Sequence, residues 1–336
     1  MEKITFKEND IRPVEFEKNK LKAIDSDIEY LLNRKDEFIQ CSCPACESIK
    51  GTFYFKKAGI DYHKCPECNT VYVNPRPSQK LLHDFYSQSK VYGYWNKFIF
   101  PASEEIRRSK IFRPRAEKVI EFCEKYNTSK DLFLEVGAGF GTFCEEIKNR
   151  NIFKRVIALE PSPGLAETCR SRKLEVIEEP IENLSLPENT IDVIASFEVL
   201  EHLFNPKAFL LDCKKYLKTG GLIVLTCPNF QGFDIMNLRE ESDTIDHEHL
   251  NYFNPQSLSL LLKNTGFNVL EVQTPGKLDA DIVRNKVLDG KFDLSGQPFL
   301  KYILIDCWDE IGEKFQQFLV DNKLSSHQWI VGQKCG

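Results

Sequence analysis

The chain has no apolar run approaching the roughly 20 residues needed to span a bilayer, and its first ten residues, Met1–Asp10, lack the apolar core of a secretory leader. Both absences point to a cytoplasmic protein with no membrane partner. Positive charge is also short: 45 Lys and Arg face 50 Asp and Glu, a formal net charge of −5. Nucleic-acid-binding domains usually present a basic face, so a nucleic-acid partner is not expected. Internal repeats and low-complexity stretches are absent, which excludes solenoids and fibrous chains. Methionine is scarce, at 2 residues, while phenylalanine is plentiful at 25. At 336 residues, with 42% hydrophobic and 28% charged residues, the chain suits one large globular domain or two modest ones.

Twelve cysteines in such a chain favour metal ligands and small buried hydrophobes over disulfides. Five of them, Cys41, Cys43, Cys46, Cys65 and Cys68, fall within 28 residues. Cys43-Pro-Ala-Cys46 and Cys65-Pro-Glu-Cys68 form two C-x₂-C knuckles separated by 18 residues. That spacing fits a tetrahedral Zn²⁺ site, and four thiolate ligands leave no open position for a reacting water. A structural zinc ribbon over 38–78 is therefore expected, with Cys41 and His63 as lesser alternatives for a ligand. The other seven cysteines read as packing residues.

Around the ribbon the chain divides into an N-terminal extension (1–37, with helical spacing of Ile24, Ile28, Leu31 and Leu32), a helical linker and acceptor-side lid (79–128), and a larger domain (129–336). From Asp131 the pattern alternates strand and helix, with strands expected at 131–136, 155–159, 174–178, 191–196, 221–227, 267–273 and 327–334. A helical insertion is expected at 276–325. Such alternation specifies an α/β fold, a largely parallel sheet covered by helices.

Three motifs stand in order on that sheet. Leu132–Thr142 is a strand that breaks into Gly137, Gly139 and Gly141 before a helix. Glycines permit the tight turn and let a ligand approach the backbone. A dinucleotide fingerprint places its third glycine one residue later, where Thr142 stands, and Glu135 would repel a pyrophosphate but attract an ammonium group. Glu160 ends the next strand, 19 residues after Gly141, where an acid suits a ribose diol. The third motif is Phe197-Glu-Val-Leu-Glu-His202 after the fourth strand.

This ordered set resembles the class I S-adenosylmethionine-dependent methyltransferases. The resemblance implies a Rossmann-like seven-stranded sheet whose last strand runs antiparallel. It implies S-adenosylmethionine as cofactor, with Glu135, Gly137, Gly139 and Gly141 at the methionine end and Glu160, with Pro161, at the ribose. Ile181 and Glu182 would flank the adenine, and Phe197 would lie near the cofactor. A different nucleotide in the same cradle is the plainer alternative.

Thr244–Phe253 concentrates chemistry. Two of the six histidines and three acids, Asp243, Asp246 and Glu248, lie within seven residues. Methyl transfer needs the acceptor positioned and, for a hydroxyl or acidic C–H, a base to take its proton. A histidine braced by a carboxylate suits that task. His249 with Glu248 is the first choice, His247 the second and His202 the third. The histidines could instead cap the following helix, which Asn254 or Ser257 could begin, bond loop carbonyls, or bind a metal with Asp246.

Knuckles, glycine loop and His-Glu-His segment together resemble the zinc-binding sugar C-methyltransferases of deoxysugar pathways, over about residues 40–334. The resemblance implies a small-molecule acceptor, a carbohydrate, with Glu248 and His249 as the acid/base pair and Tyr92 and Tyr94 lining the acceptor pocket. That family carries a further C-terminal domain, and here only the insertion 276–325 precedes the last strand. O-methylation of a sugar or glycan is thus as well matched as C-methylation of a nucleotide-sugar. An RNA methyltransferase with a zinc ribbon and a cofactor-binding adaptor without turnover are the alternatives. The sequence is silent on oligomeric state.

Overall fold

The computed structural model describes residues 8–11 and 13–336; the Met1–Lys7 part of the stretch read above for a leader lies outside them. The chain forms two compact units, each discontinuous in sequence. One holds Glu105–Cys227, Leu258–Val272 and Trp329–Gly336; the other holds the N-terminal part through Glu104, Pro228–Ser257 and Gln273–Gln328.

The first unit is built on a seven-stranded sheet. In chain order its strands are β1 (Leu132–Val136), β2 (Arg155–Leu159), β3 (Glu175–Ile177), β4 (Ile191–Phe197), β5 (Leu217–Pro228), β6 (Phe267–Gln273) and β7 (His327–Lys334). Their order across the sheet is β3-β2-β1-β4-β5-β7-β6. The pairs β1–β2, β2–β3, β1–β4 and β4–β5 are parallel. β1 and β4 are buried at every position, as continuous apolar strands covered on both faces should be. Asp192, at the start of β4, accepts the amides of Asp131 and Leu132 at 3.0 and 2.7 Å and the Lys218 ammonium at 2.6 Å. These bonds pin the entry to β1. Phe133, Phe143, Phe153 and Phe197, with Trp329, pack in the core of the sheet and helices Arg113–Lys125 and Thr142–Asn149.

The second unit contains a four-stranded sheet in the order Asn251–Tyr252, Val71–Val73, Ile60–Lys64, Thr52–Lys57. All three pairings are antiparallel. The ribbon is thus extended by two residues that lie some 180 positions later in the chain. An N-terminal helix runs over Glu17–Leu32 and carries the helically spaced Ile24, Ile28, Leu31 and Leu32. Leu31 packs with Leu81 and Phe85 of helix Gln79–Tyr86. The linker expected to be helical includes a further helical turn, Lys90–Tyr94. A separate core around Leu238, Val283, Leu304 and Leu319 serves helices Asp279–Leu288 and Trp308–Asp321 of the insertion. Among the described residues no helix is long and apolar enough to cross a membrane.

Candidate functional site

In the sheet unit, β1 ends in Val136 and the chain turns through Gly137, Gly139 and Gly141, with φ of 75°, 56° and 71°. Positive φ at three alternate positions is cheap only for glycine. Space makes the same demand twice: a Cβ on Gly137 would meet Val199 at 2.7 Å, and one on Gly141 would meet Leu174 at 2.7 Å. Nothing lies within 4 Å of a Cβ on Gly139, so the space on that side of the turn is open.

Glu160 is buried, and its two oxygens accept the amides of Gly139 at 2.7 Å and Ser162 at 2.9 Å. The acid therefore shapes the glycine loop directly. A carboxylate has about four acceptor positions, so these two bonds leave room for a diol. Burial pushes its carboxyl up, and the two amides oppose the shift.

Glu135 is 4% exposed, and its Oε2 is buried with no hydrogen-bond partner. Burial pushes this carboxyl up to about 8, against the Cys144 side chain and the Arg115 guanidinium, which favour its ionised form. Arg115 lies over the Phe197 ring at 4.5 Å and pairs with Glu198 at 3.6 Å. A buried carboxyl with one unmet oxygen gains by pairing with a cation. Of the remaining positions implied for the cofactor, Ile181 is buried and Pro161 and Glu182 are exposed, while Phe197 packs edge-on to Phe143 at 4.6 Å. His202 is partly buried.

In the ribbon unit, the Sγ atoms of Cys43, Cys46, Cys65 and Cys68 all lie within 4.8 Å of one another. The closest pairs, Cys43–Cys68 and Cys46–Cys65, are 3.4 and 3.5 Å apart. Tetrahedral zinc with Zn–S bonds near 2.3 Å requires S···S separations of about 3.8 Å, so the set fits that ion after small adjustments. The two knuckles share one backbone design. Cys43 and Cys65 donate their amides to Ser48 and Thr70 and accept from Glu47 and Asn69, all at 2.9 Å. Glu47 and Asn69 both take positive φ. Cys41 stands apart from the four: its thiol points to the Val73 carbonyl and the Asn74 side chain. His63 faces Asn74 at 3.5 Å.

The ribbon also holds the His-Glu-His segment. Val73 donates its amide to Leu250 at 3.0 Å, and the Tyr62 hydroxyl donates to the Asp246 carbonyl at 2.9 Å. The Lys57 ammonium donates to Ser242 at 2.8 Å. Asn254 is buried and faces two ways. Its Oδ1 accepts the amides of Gln256 and Ser257 at 3.1 and 2.9 Å, capping the first turn after Pro255, while its Nδ2 donates to the Cys68 carbonyl at 3.0 Å. The second knuckle and the end of the His-Glu-His segment are thus joined by one amide side chain.

Within that segment, Asp246 Oδ1 accepts the amides of Glu248 and His249, both at 2.9 Å. His249 Nδ1 lies 2.8 Å from the Thr244 carbonyl and 3.6 Å from Asp246 Oδ2. A carbonyl cannot donate, so Nδ1 carries the proton and the basic lone pair of the neutral ring sits on Nε2. Glu248 is held off water, and burial pushes its carboxyl up to about 7, with Asp246 adding to the shift and His247 and His249 opposing it. His247 is turned elsewhere: its Nε2 lies 3.9 Å from Asp27 Oδ2. Tyr92 is at the surface, and Tyr94 packs on Phe98 and Phe16 at 4.9 and 6.4 Å.

Asp27, Arg115 and Asn254 were not singled out as binding or catalytic residues in the sequence reading. Asp27 left a signal, since it interrupts the apolar stripe of Ile24, Ile28 and Leu31 with a charge that must be compensated if buried. Asn254 was legible as a helix start but not as a bond to the ribbon, and Arg115 had no signal beyond its residue type.

A family model described as a methyltransferase domain matches residues 106–272. A protein named as a probable S-adenosylmethionine-dependent methyltransferase in Mycobacterium tuberculosis is 31% identical over 42% of this chain and 49% of its own. An uncharacterized methyltransferase of Schizosaccharomyces pombe is 33% identical over 30% of this chain and 40% of its own. A solved S-adenosylmethionine-dependent methyltransferase from Archaeoglobus fulgidus aligns with a TM-score of 0.48 and 20% identity, over 71% of this chain and 100% of that one. The chain spans half or less of the length of these two sequence relatives. Glycine loop, anchored Glu160 and buried Glu135 all lie inside the matched segment, and residues 106–272 form a class I S-adenosylmethionine-dependent methyltransferase domain.

Proposed function

We propose that the whole chain transfers a methyl group to an oxygen or an acidic carbon of a carbohydrate or similarly polar small molecule, with His249 as the base. S-adenosylmethionine, when bound, supplies an electrophilic methyl group. Glu135, Gly137, Gly139, Gly141, Glu160, Pro161, Ile181, Glu182 and Phe197 would hold it. Cys43, Cys46, Cys65 and Cys68 would hold a structural Zn²⁺. Support for the base comes from the His249 tautomer: the Thr244 carbonyl fixes the proton on Nδ1, so Nε2 is the atom that takes the acceptor's proton. Glu248, next in the chain and kept from water, would tune that proton affinity. Support for the acceptor class comes from the resemblance of the ribbon and the His-Glu-His segment, taken together, to sugar C-methyltransferases.

The test is methyl transfer from labelled S-adenosylmethionine to a panel of nucleotide-sugars, free glycans and a structured RNA. Turnover on a sugar is expected. His249→Ala should bind S-adenosylhomocysteine as the parent does and lose about 10²–10⁴-fold in kcat. Undiminished turnover in that variant sinks the base assignment, and turnover on RNA alone sinks the acceptor class.

A further inference from the structure

Asp27 belongs to the N-terminal helix, before the ribbon begins, yet its carboxylate is 3% exposed and lies among acceptor-side residues. Oδ2 accepts the Ser89 hydroxyl at 2.7 Å and the Val91 amide at 3.0 Å, and Oδ1 accepts the Lys90 amide at 2.8 Å. Ser89 in turn caps the turn Lys90–Tyr94 by accepting the Tyr92 amide at 3.1 Å. One carboxylate therefore fastens the turn that carries Tyr92 and Tyr94. The same Oδ2 lies 3.9 Å from His247 Nε2. That separation is an ion-pair contact rather than a hydrogen bond.

His247 has little else to satisfy it. The residue is 5% exposed, and neither ring nitrogen has a hydrogen-bond partner. A neutral ring so placed leaves a buried donor and acceptor unmet, whereas an imidazolium gains from the carboxylates around it. The charged groups facing it are Asp27 from helix Glu17–Leu32 and Asp246 and Glu248 from its own segment. Helix Gln79–Tyr86 presents the edge of the Phe85 ring, 5.9 Å between centroids, and the Tyr86 hydroxyl donates to the Glu248 carbonyl at 3.4 Å. Burial alone would lower the proton affinity of His247; these acids raise it above the ordinary histidine value. Burial alone would raise Asp27; His247, Ser89 and the two amides carry it below the ordinary range.

We propose that Asp27 is a positioning residue for methyl transfer: it locks the Tyr92–Tyr94 turn and holds His247 as a buried imidazolium against Glu248. The N-terminal extension then belongs to the acceptor-side machinery. This inference rests on the reading of the Thr244–Phe253 segment as the acceptor side, but not on the identity of the acceptor.

The experiment follows the His247 ring by NMR on histidine-labelled full-length protein, beside methyl-transfer kinetics with whichever acceptor of the panel turns over. Parent His247 should stay protonated above the ordinary histidine midpoint near 6.5. In Asp27→Asn, nearly the same shape without the charge, its proton affinity should fall at least tenfold. kcat should drop by tenfold or more with the pH profile displaced, and S-adenosylhomocysteine affinity should not change. Ser89→Ala keeps the charge and removes one donor; it should move both readouts the same way but less, and it serves if Asp27→Asn does not fold. A normal His247 midpoint in the parent, or one that Asp27→Asn leaves in place, overturns the proposal. So does a shifted midpoint with unaltered kcat and pH profile. A native mass spectrum of the full chain that shows a metal bound at Asp27, His247 and Glu248, lost in Asp27→Asn, overturns the ion pair in favour of ligation. A non-carbohydrate acceptor sinks the proposed acceptor class and leaves this inference standing.

Discussion

Two glutamates, each with a buried carboxyl oxygen, face the same cost in the two units and meet it differently. Glu135 sits at the end of β1, and, Arg115 apart, the residues that shape its surroundings, from Gly137 to Glu160, follow within one strand–loop–helix–strand passage. Glu248 is surrounded by parts of the chain far apart in sequence: Asp27, Tyr86, Asp246 and His247. The first site is a property of a local motif, which the backbone of the sheet builds whenever the strands pair. The second exists only if the ribbon, the N-terminal helix and the Thr244–Phe253 segment come together. Such an assembled site depends on every fastening between its segments, so it should be the more fragile of the two.

The largest effect that separates the two sites is expected from removing the Zn²⁺ proposed for the ribbon. Structural zinc sites carry on the order of 10 kcal/mol of folding free energy. A chelator, or Cys65→Ser, should unfold the ribbon and release Val73, Tyr62 and Asn254 from the acceptor-side segment. Methyl transfer should fall below detection while S-adenosylhomocysteine affinity, read by calorimetry, stays within about tenfold. Parallel loss of both would break the comparison.

Next in size is the proton coupled to Glu135. Burial raises its folded value above the ordinary 4.5, to about 8, so the ionised form is disfavoured in the empty cradle. The linkage sign follows: this group's contribution to stability is fully present below about pH 4.5 and is lost as pH rises through about 8. An ammonium placed beside the carboxyl reverses the preference. Cofactor binding at pH 7 should therefore release up to about one proton, seen as a dependence of binding heat on buffer ionisation enthalpy, and Glu135→Gln should abolish it. Binding without proton release would remove Glu135 from the methionine end.

A smaller effect tests the ribbon's grip on its segment. Asn254→Ala deletes a helix cap and the bond to the Cys68 carbonyl, and should cost about 1–2 kcal/mol in chemical denaturation. It should lower kcat more than it weakens cofactor binding. An equal effect on both would count against the second knuckle as a brace for the acceptor side.

How much of this was legible follows the same division. The strands of the sheet stand within a few residues of their expected positions, because continuous apolar runs bounded by glycine and charge carry their own signal. The largest departure is β5, which begins at Leu217 rather than 221, where Lys218 and Gly220 mask the strand. The paired knuckles were visible for the same reason: the chemistry is written at fixed short spacing. The pairing of Asn251–Tyr252 with the ribbon was not, since two residues carry no strand pattern and their partner lies 180 positions away. Nor were the differing surroundings of His247 and His249, two residues apart in one segment, since only tertiary contacts distinguish Asp27 from the Thr244 carbonyl.

The place of β7 has a consequence for the newborn chain. β7 lies between β5 and β6 in the sheet, yet it is the last of the seven to leave the ribosome. Until it emerges, β5 and β6 cannot occupy their final spacing, and each presents an unpaired edge of the kind that recruits other chains. The ribbon's knuckles, by contrast, are complete within the first 68 residues and can take up metal while translation continues. Metal capture should thus precede closure of the sheet, and the interval between them is when the nascent protein is most exposed to aggregation.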